Sequence, residues 1–550
     1  MAQETTKGAP LPVPGRSVIA TRYGIVAASQ PQAATAGIQI LERGGNAVDA
    51  AIATNAVMGL MEPTSNGIGG DLFAIVYIAK TGKLYGLNSS GWSPKALTPE
   101  FLAAKGITTM PERGIHTVTV PGAVAGWAAL NNRFGTMPLA TLLAPAIYYA
   151  QNGVPINQVT SGLWSHSLKM LSATPSAAET FLIDGHTPRF GEVFRNPNLA
   201  ASLRRVAEKG RDGYYKGATA EAIVAASREL GGAMTLEDLA GFQPEWVTPI
   251  STTYHGWTVY ELPPNTQGIA ALIMLNLMEQ FPLAADGFHS TQTMHTMIEA
   301  KKLAYADMLR YIGDPRFSNI PVTALLDKQH AAERAKLIGP RANCSPQPSV
   351  LPGVTDAKGK DTIYMTVIDK DGNIVSLIQS NYAGFGSGVV PKGMGFMLQN
   401  RGALFTLQPG QPNTLAGHKR PLHTIIPAFM EKGDVHIGFG IMGGWNQAQA
   451  HAQFVSNIVD YGMTIQQALE AGRFTKSTFD GCDVQIEQSI PEDVRNQLKA
   501  LGHDVHTVPL RTPVFGYGQA VMEDGTGVHF GASDPRHDGE AIPQPGPVFE

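Results

Sequence analysis

The chain has 550 residues, a formal net charge of −4, 43% hydrophobic and 16% charged side chains. This is an ordinary balance for a globular chain with a large core; it lacks the basic surplus of a nucleic-acid or anionic-membrane binder, and no run of about 18 apolar residues marks a membrane span. Two cysteines, Cys344 and Cys482, make neither a disulfide framework nor a thiolate metal site, and two unpaired thiols are expected.

The start, "MAQETTKGAPLPVPGRS", lacks the apolar core of a signal peptide. It equally suits a cytoplasmic protein and a periplasmic or secreted one whose leader was replaced by a Met. "SQPQAATAGIQILERGGNAVDAAIATNAVMGLMEP" then reads as two packed helices, the first opened by Pro31 and ended by Gly44-Gly45, the second stopped by Pro63. "TSNGIGGD" is a glycine loop feeding the strand "LFAIVYIA" and the turn "KTGK". The middle of the chain alternates helical and extended patterns, with a strong amphipathic helix in "TMHTMIEAKKLAYADMLRYIGDP".

Residues 339–361 form the longest polar Pro/Gly/Ser stretch and read as a linker or cleavage loop. They end on Asp361-Thr362 and switch at once to "IYMTVI" and "IVSLIQS", a hairpin with Asp-Gly in its turn. A turn centred on Asp371 makes cross-strand partners sum to 742 and sets Thr362 opposite Ser380. Two hydroxyls then meet at the hairpin's open end. A threonine that is the first residue of a chain is a nucleophile with its own base, because its α-amine, of pKa roughly 7.7–8.0, accepts the hydroxyl proton. Such chemistry requires a cut between Asp361 and Thr362; the alternative is a plain strand-initial threonine.

Other motifs have competing readings. "GFGIMG" (438–443), between a strand and a helix, spells a dinucleotide fingerprint, but a second helix follows where a parallel strand is needed. "GFGSG" (384–388) precedes no helix and reads as a turn or substrate-side loop rather than a phosphate cradle. His423 has no second metal-spaced ligand, so no metal is expected.

In chain order "LERGGNAVDAAIA", "EPTSNGIGGDLF", "TVPGAVAGW", "MTLEDLAGF", "EAKKLAYADMLRYIGDP" and "DTIYMTVIDKDGN" resemble the γ-glutamyltransferase family of N-terminal nucleophile hydrolases. The resemblance implies an α/β (α+β) fold, a four-layer αββα sandwich. It also implies autocleavage before Thr362 into a large subunit, 1–361, and a small subunit, 362–550, that stay interlocked as a heterodimer, with a dimer of these also open. Thr362 would be nucleophile and general base, Ser380 its supporting hydroxyl, and Gly443-Gly444 the oxyanion hole. No metal or organic cofactor is implied.

The departures from the family pattern concern the substrate. Where glutamate-recognising members carry an arginine before a proline, this chain has "NSSGWSP" with Trp92; where they place an aspartate, it has "QNRGALF" with Ala403-Leu404; their Ser-Ser pair is His423-Thr424. The segment between "LQPG" and "KRP" is too short for a lid loop. An α-amino acid head group is bound poorly without both charges. Arg401 remains to grip a carboxylate, or to serve as a structural cation, and Trp92 to act as pocket wall or core. With Tyr382, His423 and Thr424 these are the candidate substrate contacts. The expected substrate is a small carboxylate-bearing amide, of the oxamate or acylase type. Alternatives are a true γ-glutamyltransferase or glutathione hydrolase, and an uncleaved relative that only binds its ligand.

Overall fold

The computed structural model describes residues 8–349 and 363–547. Two seven-stranded antiparallel sheets lie face to face. One runs in the order Glu540–Pro543, Ile25–Ala28, Ile363–Ile368, Ile374–Ser380, Asp71–Ile78, Lys83–Ser89, Glu245–Val247. The other runs Ile19–Thr21, His529–Ser533, Gly518–Glu523, Val435–Ile441, Ala428–Lys432, Trp257–Glu261, Ile250–Tyr254.

The strand period of two sorts side chains between two cores. From Ile363–Ile368, the residues Ile363, Met365 and Val367 join a helix-covered core, while Tyr364 and Ile368 enter the layer between the sheets. Both faces are covered, so this strand is buried throughout instead of alternating. Pro31–Glu42 and Ala47–Met61 cover the first sheet; Asn46 caps the second helix in a reciprocal capping box with Asp49. Gly268–Met278, Thr291–Tyr311 and Asn446–Val459 cover the second sheet. The layers are therefore αββα, and among the described residues no helix is long and apolar enough to cross a membrane. Segments from before and after position 362 interleave: Ile25–Ala28 pairs with Ile363–Ile368, and Ile19–Thr21 with His529–Ser533.

Two sequence readings are settled by this arrangement. The strand in "GFGIMG" has antiparallel neighbours on both sides, so it is no dinucleotide unit. Its glycines answer a steric demand: a Cβ on Gly438 would lie 2.5 Å from Ile374, and one on Gly440 2.5 Å from the ring of Tyr364. The cysteines, expected as free thiols, form a disulfide between positions 138 residues apart, with Cα atoms 4.7 Å apart. Spacing gave no hint of it. Backbone bonds from Ala342 to Leu501 (2.9 Å) and from Gly481 to Cys344 (2.9 Å) lay the two segments together.

Gly440→Ala is expected to lower stability by about 1–3 kcal/mol through overpacking against Tyr364, whereas Gly433→Ala, at a turn with nothing within 4 Å of a Cβ, meets only the strain of its φ of +59°. Chemical denaturation of the two variants compares them; equal losses would show that the gap between the sheets is not tight at Gly440.

Candidate active site

The described pairs of the hairpin run from Ile363↔Gln379 to Ile368↔Ile374, each summing to 742 as the Asp-Gly turn required. Asp361 and Thr362, the expected scissile pair, lie outside the described residues. At the hairpin's open end Ser380 is opposite Asp71 on the next strand. Ser380 Oγ accepts the N–H of Tyr382 (2.8 Å) and an N–H from Arg401 Nη2 (2.6 Å). Arg401 Nη1 donates to Thr424 Oγ1 (2.6 Å), and the Tyr382 ring lies 4.5 Å from the guanidinium carbon. The guanidinium is wholly buried. It therefore acts as a fork between two hydroxyls. Tyr382 itself has φ +78°, a left-handed conformation that a non-glycine residue adopts at a cost of about 1–3 kcal/mol and that concentrates at functional sites.

Gly443 and Gly444 form the turn between strand Val435–Ile441 and helix Asn446–Val459, with φ +129° and +61°. At Gly443 a Cβ would also meet Asn446 at 3.1 Å and Gly516 at 3.3 Å. Among the described residues neither glycine N–H has an acceptor. Gln267 ties this turn to the hydroxyl cluster: its Nε2 donates to the carbonyls of Gly444 (2.7 Å) and Thr424 (2.5 Å).

Beside the cluster sits a buried carboxyl–imidazole pair, Asp71 Oδ2 and His423 Nε2, 3.0 Å apart. Ile425 N–H points at His423 Nδ1 (3.4 Å), so the ring proton is on Nε2 and is donated to Asp71. Burial, then the nearby Arg401 and Arg420 guanidinia, hold His423 well below its ordinary pKa, so the pair is a hydrogen bond of a neutral imidazole and not an ion pair. Burial pushes Asp71 up to about 7 against the lowering pull of the Gly91 N–H (2.9 Å) and of Arg401. Gln399 bridges the two groups: its Oε1 takes the N–H of Arg401 (2.7 Å), while its Nε2 donates to Asp71 Oδ2 (3.2 Å) and Thr119.

Thus Ser380, Tyr382, Arg401, His423, Thr424 and the glycine pair come together. Trp92 does not touch this cluster; its ring packs on Phe242 (5.1 Å) and His418 (5.5 Å), with the Arg316 and Arg420 guanidinia beside it. A cleft of about 740 Å³ opens at Tyr382 and Trp445, walled by Met110, Asn400, Ala403 and Phe479. Glu112, Arg113, Asp480 and Asp483 also line it. Arg113 Nη1 spends itself on the carbonyls of Gly384 (2.7 Å) and Gly386 (2.5 Å), which places "GFGSG" as a turn on the cleft side.

Reading the sequence missed Asp71, Gln267 and Gln399. Asp71 left a signal, an acid opening an otherwise apolar strand directly after "GIGG". The two glutamines left none, because amide side chains act here only through partners brought from distant segments. Among the described residues one cluster, His295, Glu299 and His503, has metal-ligand chemistry. The Lys302 ammonium already occupies Glu299 at 2.5 Å, and Lys301 and Lys476 stand near it, which disfavours a dication.

Comparison with known proteins gives a match to the family model described as gamma-glutamyltranspeptidase over residues 33–544. The chain is 37% identical to the glutathione hydrolase-like YwrD proenzyme of Bacillus subtilis, covering 96% of this chain and 99% of the relative. It is 32% identical to the oxamate amidohydrolase proenzyme of Klebsiella pneumoniae, over 94% of this chain and 98% of that one. Its structure superposes on that of a cephalosporin acylase from Bacillus halodurans with a TM-score of 0.90 and 42% identity, over 98% and 99% of the two chains.

A carboxyl whose folded pKa is raised binds a proton that the unfolded chain has lost. Stability from Asp71 is therefore present below its unfolded value near 3.8 and is lost as pH rises toward about 7. The full swing is on the order of 4 kcal/mol. Asp71→Asn cannot ionise, so its melting temperature relative to wild type is expected to climb between pH 4 and pH 7.5. A flat difference across that range would mean that Asp71 stays ionised in the fold.

Proposed function

Since the chain belongs to the γ-glutamyltranspeptidase family and is an amide-cleaving enzyme, we propose that it is a self-processing threonine amidohydrolase of small carboxylate-bearing or acyl amides. The observation that carries this is the convergence of Ser380, Arg401 and Thr424 with the Gly443-Gly444 turn at the open end of the hairpin whose described residues begin at Ile363, directly after Thr362 in the sequence. The proenzyme names of the relatives support the cut before Thr362, which yields a large fragment, 1–361, and a small one, 362–550.

In the proposed reaction the Thr362 hydroxyl attacks the amide carbonyl while its α-amine takes the proton. The N–H groups of Gly443 and Gly444 stabilise the oxyanion. Collapse returns the proton to the leaving amine and leaves an ester on Thr362. Water, activated by the same amine, then releases the acid and regenerates the threonine. Ser380 steadies the nucleophile, and Arg401 holds Ser380 and Thr424 in register. No step calls for a metal or an organic cofactor.

The head-group positions support an acylase or amidohydrolase substrate over a γ-glutamyl one. Ala403 lines the cleft and Leu404 is buried where acids would stand. The volume of the cleft and its Met110, Tyr382, Trp445 and Phe479 surfaces favour an acyl amide with an apolar part; oxamate would fill little of it. Glutathione hydrolysis is the rival, since a 32% identical relative from Escherichia coli carries that name.

Intact mass of purified protein beside Thr362→Ala is expected to give two fragments in the wild type and one chain in the variant. A single uncut wild-type chain after prolonged incubation would remove Thr362 from its role and favour a ligand-binding protein. Turnover of oxamate, a glutaryl amide and a γ-glutamyl anilide then ranks the substrates, with preference for the anilide sinking the specificity argument. Arg401→Lys keeps the charge and loses the fork. It is expected to cut kcat about 10²-fold with little change in KM; a rise in KM confined to carboxylate substrates would instead make Arg401 the substrate clamp.

A further inference from the structure

Cys344 and Cys482 stand on opposite sides of the proposed cut. Cys344 lies within the 339–361 stretch, 17 residues before Asp361. Cys482 closes the loop 477–483, which lies in the small fragment and supplies Phe479, Asp480 and Asp483 to the cleft. We infer that the Cys344–Cys482 disulfide is the covalent staple between the two products of self-cleavage and the clamp on this wall of the cleft. The inference rests on the reading that the chain is cut before Thr362.

Both ends of the bridge are seated by the surrounding backbone. On the large-fragment side, Ala342 N–H bonds Leu501 O (2.9 Å), Asn343 N–H bonds Glu299 (3.2 Å), and Lys302 donates to Asn343 O (2.9 Å). On the small-fragment side, Gly481 N–H bonds Cys344 O (2.9 Å) and Asp504 N–H bonds Cys482 O (2.8 Å). The loop between is held at its other end by Lys476, which donates to Thr478 (2.6 Å), Asp480 O (2.8 Å) and Asp483 (2.7 Å). Phe479 stands edge-on to Trp445 at 5.1 Å, and Trp445 directly follows the Gly443-Gly444 turn. A loop anchored at both ends holds that ring against the cleft; released at Cys482, it loses its covalent tie and keeps the hydrogen bonds from Lys476, from Lys301 to Thr478 O (2.9 Å), and to the backbone of Cys344 and Asp504.

Before the cut, the bridge closes a loop within one chain. After it, the bridge makes two chains one molecule, so reassembly after unfolding is intramolecular and independent of concentration. Formation removes two protons and two electrons from the thiols, taken up by a disulfide oxidant that is itself reduced to two thiols. Cys344 is exposed, so exchange partners reach the bridge. The Lys302 ammonium, 4.0 Å from Cys482 Sγ, favours the thiolate through which exchange proceeds.

The test is intact mass of matured wild-type protein, denatured in N-ethylmaleimide with and without prior reduction. Without reductant, one species is expected: the full chain plus one water less two hydrogens, bearing no maleimide. With reductant, two fragments should appear, each carrying one maleimide. Two separate, singly alkylated fragments without reductant would overturn the staple while leaving self-cleavage intact. One uncut chain under both conditions would instead overturn the cleavage reading and the staple with it. For the clamp, Cys482→Ser is expected to cleave to the same extent and to raise KM for an aromatic acyl amide about three- to tenfold, with KM for oxamate unchanged. An unchanged KM for the aromatic substrate would overturn the clamp.

Discussion

A guanidinium sealed away from water demands polar partners, and Arg401 sets that demand for the whole site. Its two terminal nitrogens hold the hydroxyls of Ser380 and Thr424, and its flat face meets the Tyr382 ring. Gln399 links Arg401 to Asp71, whose pKa burial raises to about 7 against the lowering pull of the guanidinium. Because the hydroxyls come from different segments, one cation ties together the hairpin end, the 399–404 strip and the approach to strand Ala428–Lys432. The unfavourable φ of Tyr382 is held by the same contacts. A site built in this way is rigid before any substrate arrives, which is what oxyanion chemistry rewards.

The sandwich gives this cluster its support. The inter-sheet layer is narrow enough that Gly438 and Gly440 meet the side chains of Ile374 and Tyr364 where any Cβ would stand. The glycines of Val435–Ile441 thereby bring the Gly443-Gly444 turn down to the level of the hairpin end. Strands from both sides of position 362 share both sheets, so a cut there would break one bond and leave the hydrogen-bonded ladders intact. The disulfide adds a covalent tie across the same division, and it ties down the wall of the cleft that faces the glycine turn.

The family relationship and the local chemistry point in different directions only for the substrate. Ser380 and the Gly443-Gly444 turn, expected at an amide-cleaving site, are both among the described residues and are linked through Arg401, Thr424 and Gln267. The charges that would hold an amino acid head group are replaced by Trp92, turned toward Phe242 and His418, and by Ala403-Leu404. The neighbouring cleft is lined by Met110, Tyr382, Trp445 and Phe479 together with the charged Glu112, Arg113, Asp480 and Asp483. Such a surface selects by shape and apolar contact.

By itself the sequence determined those features that local rules govern. Pro31, Gly44-Gly45 and Pro63 delimit the helices found as Pro31–Glu42 and Ala47–Met61, and the Asp-Gly turn fixes a register that holds at every described pair. Motif order carried the family and, through it, the layered architecture. Tertiary structure alone decided what depends on long-range meetings: the Asp71–His423 pair, 352 residues apart, the two glutamine bridges, and the cysteine pairing. Two thiols 138 residues apart have no periodicity to betray them, and an arginine's partners are chosen by what the packed sheets bring within reach. Spacing encodes neighbours along a strand or helix; it carries no record of which distant segments the burial of apolar faces will press together.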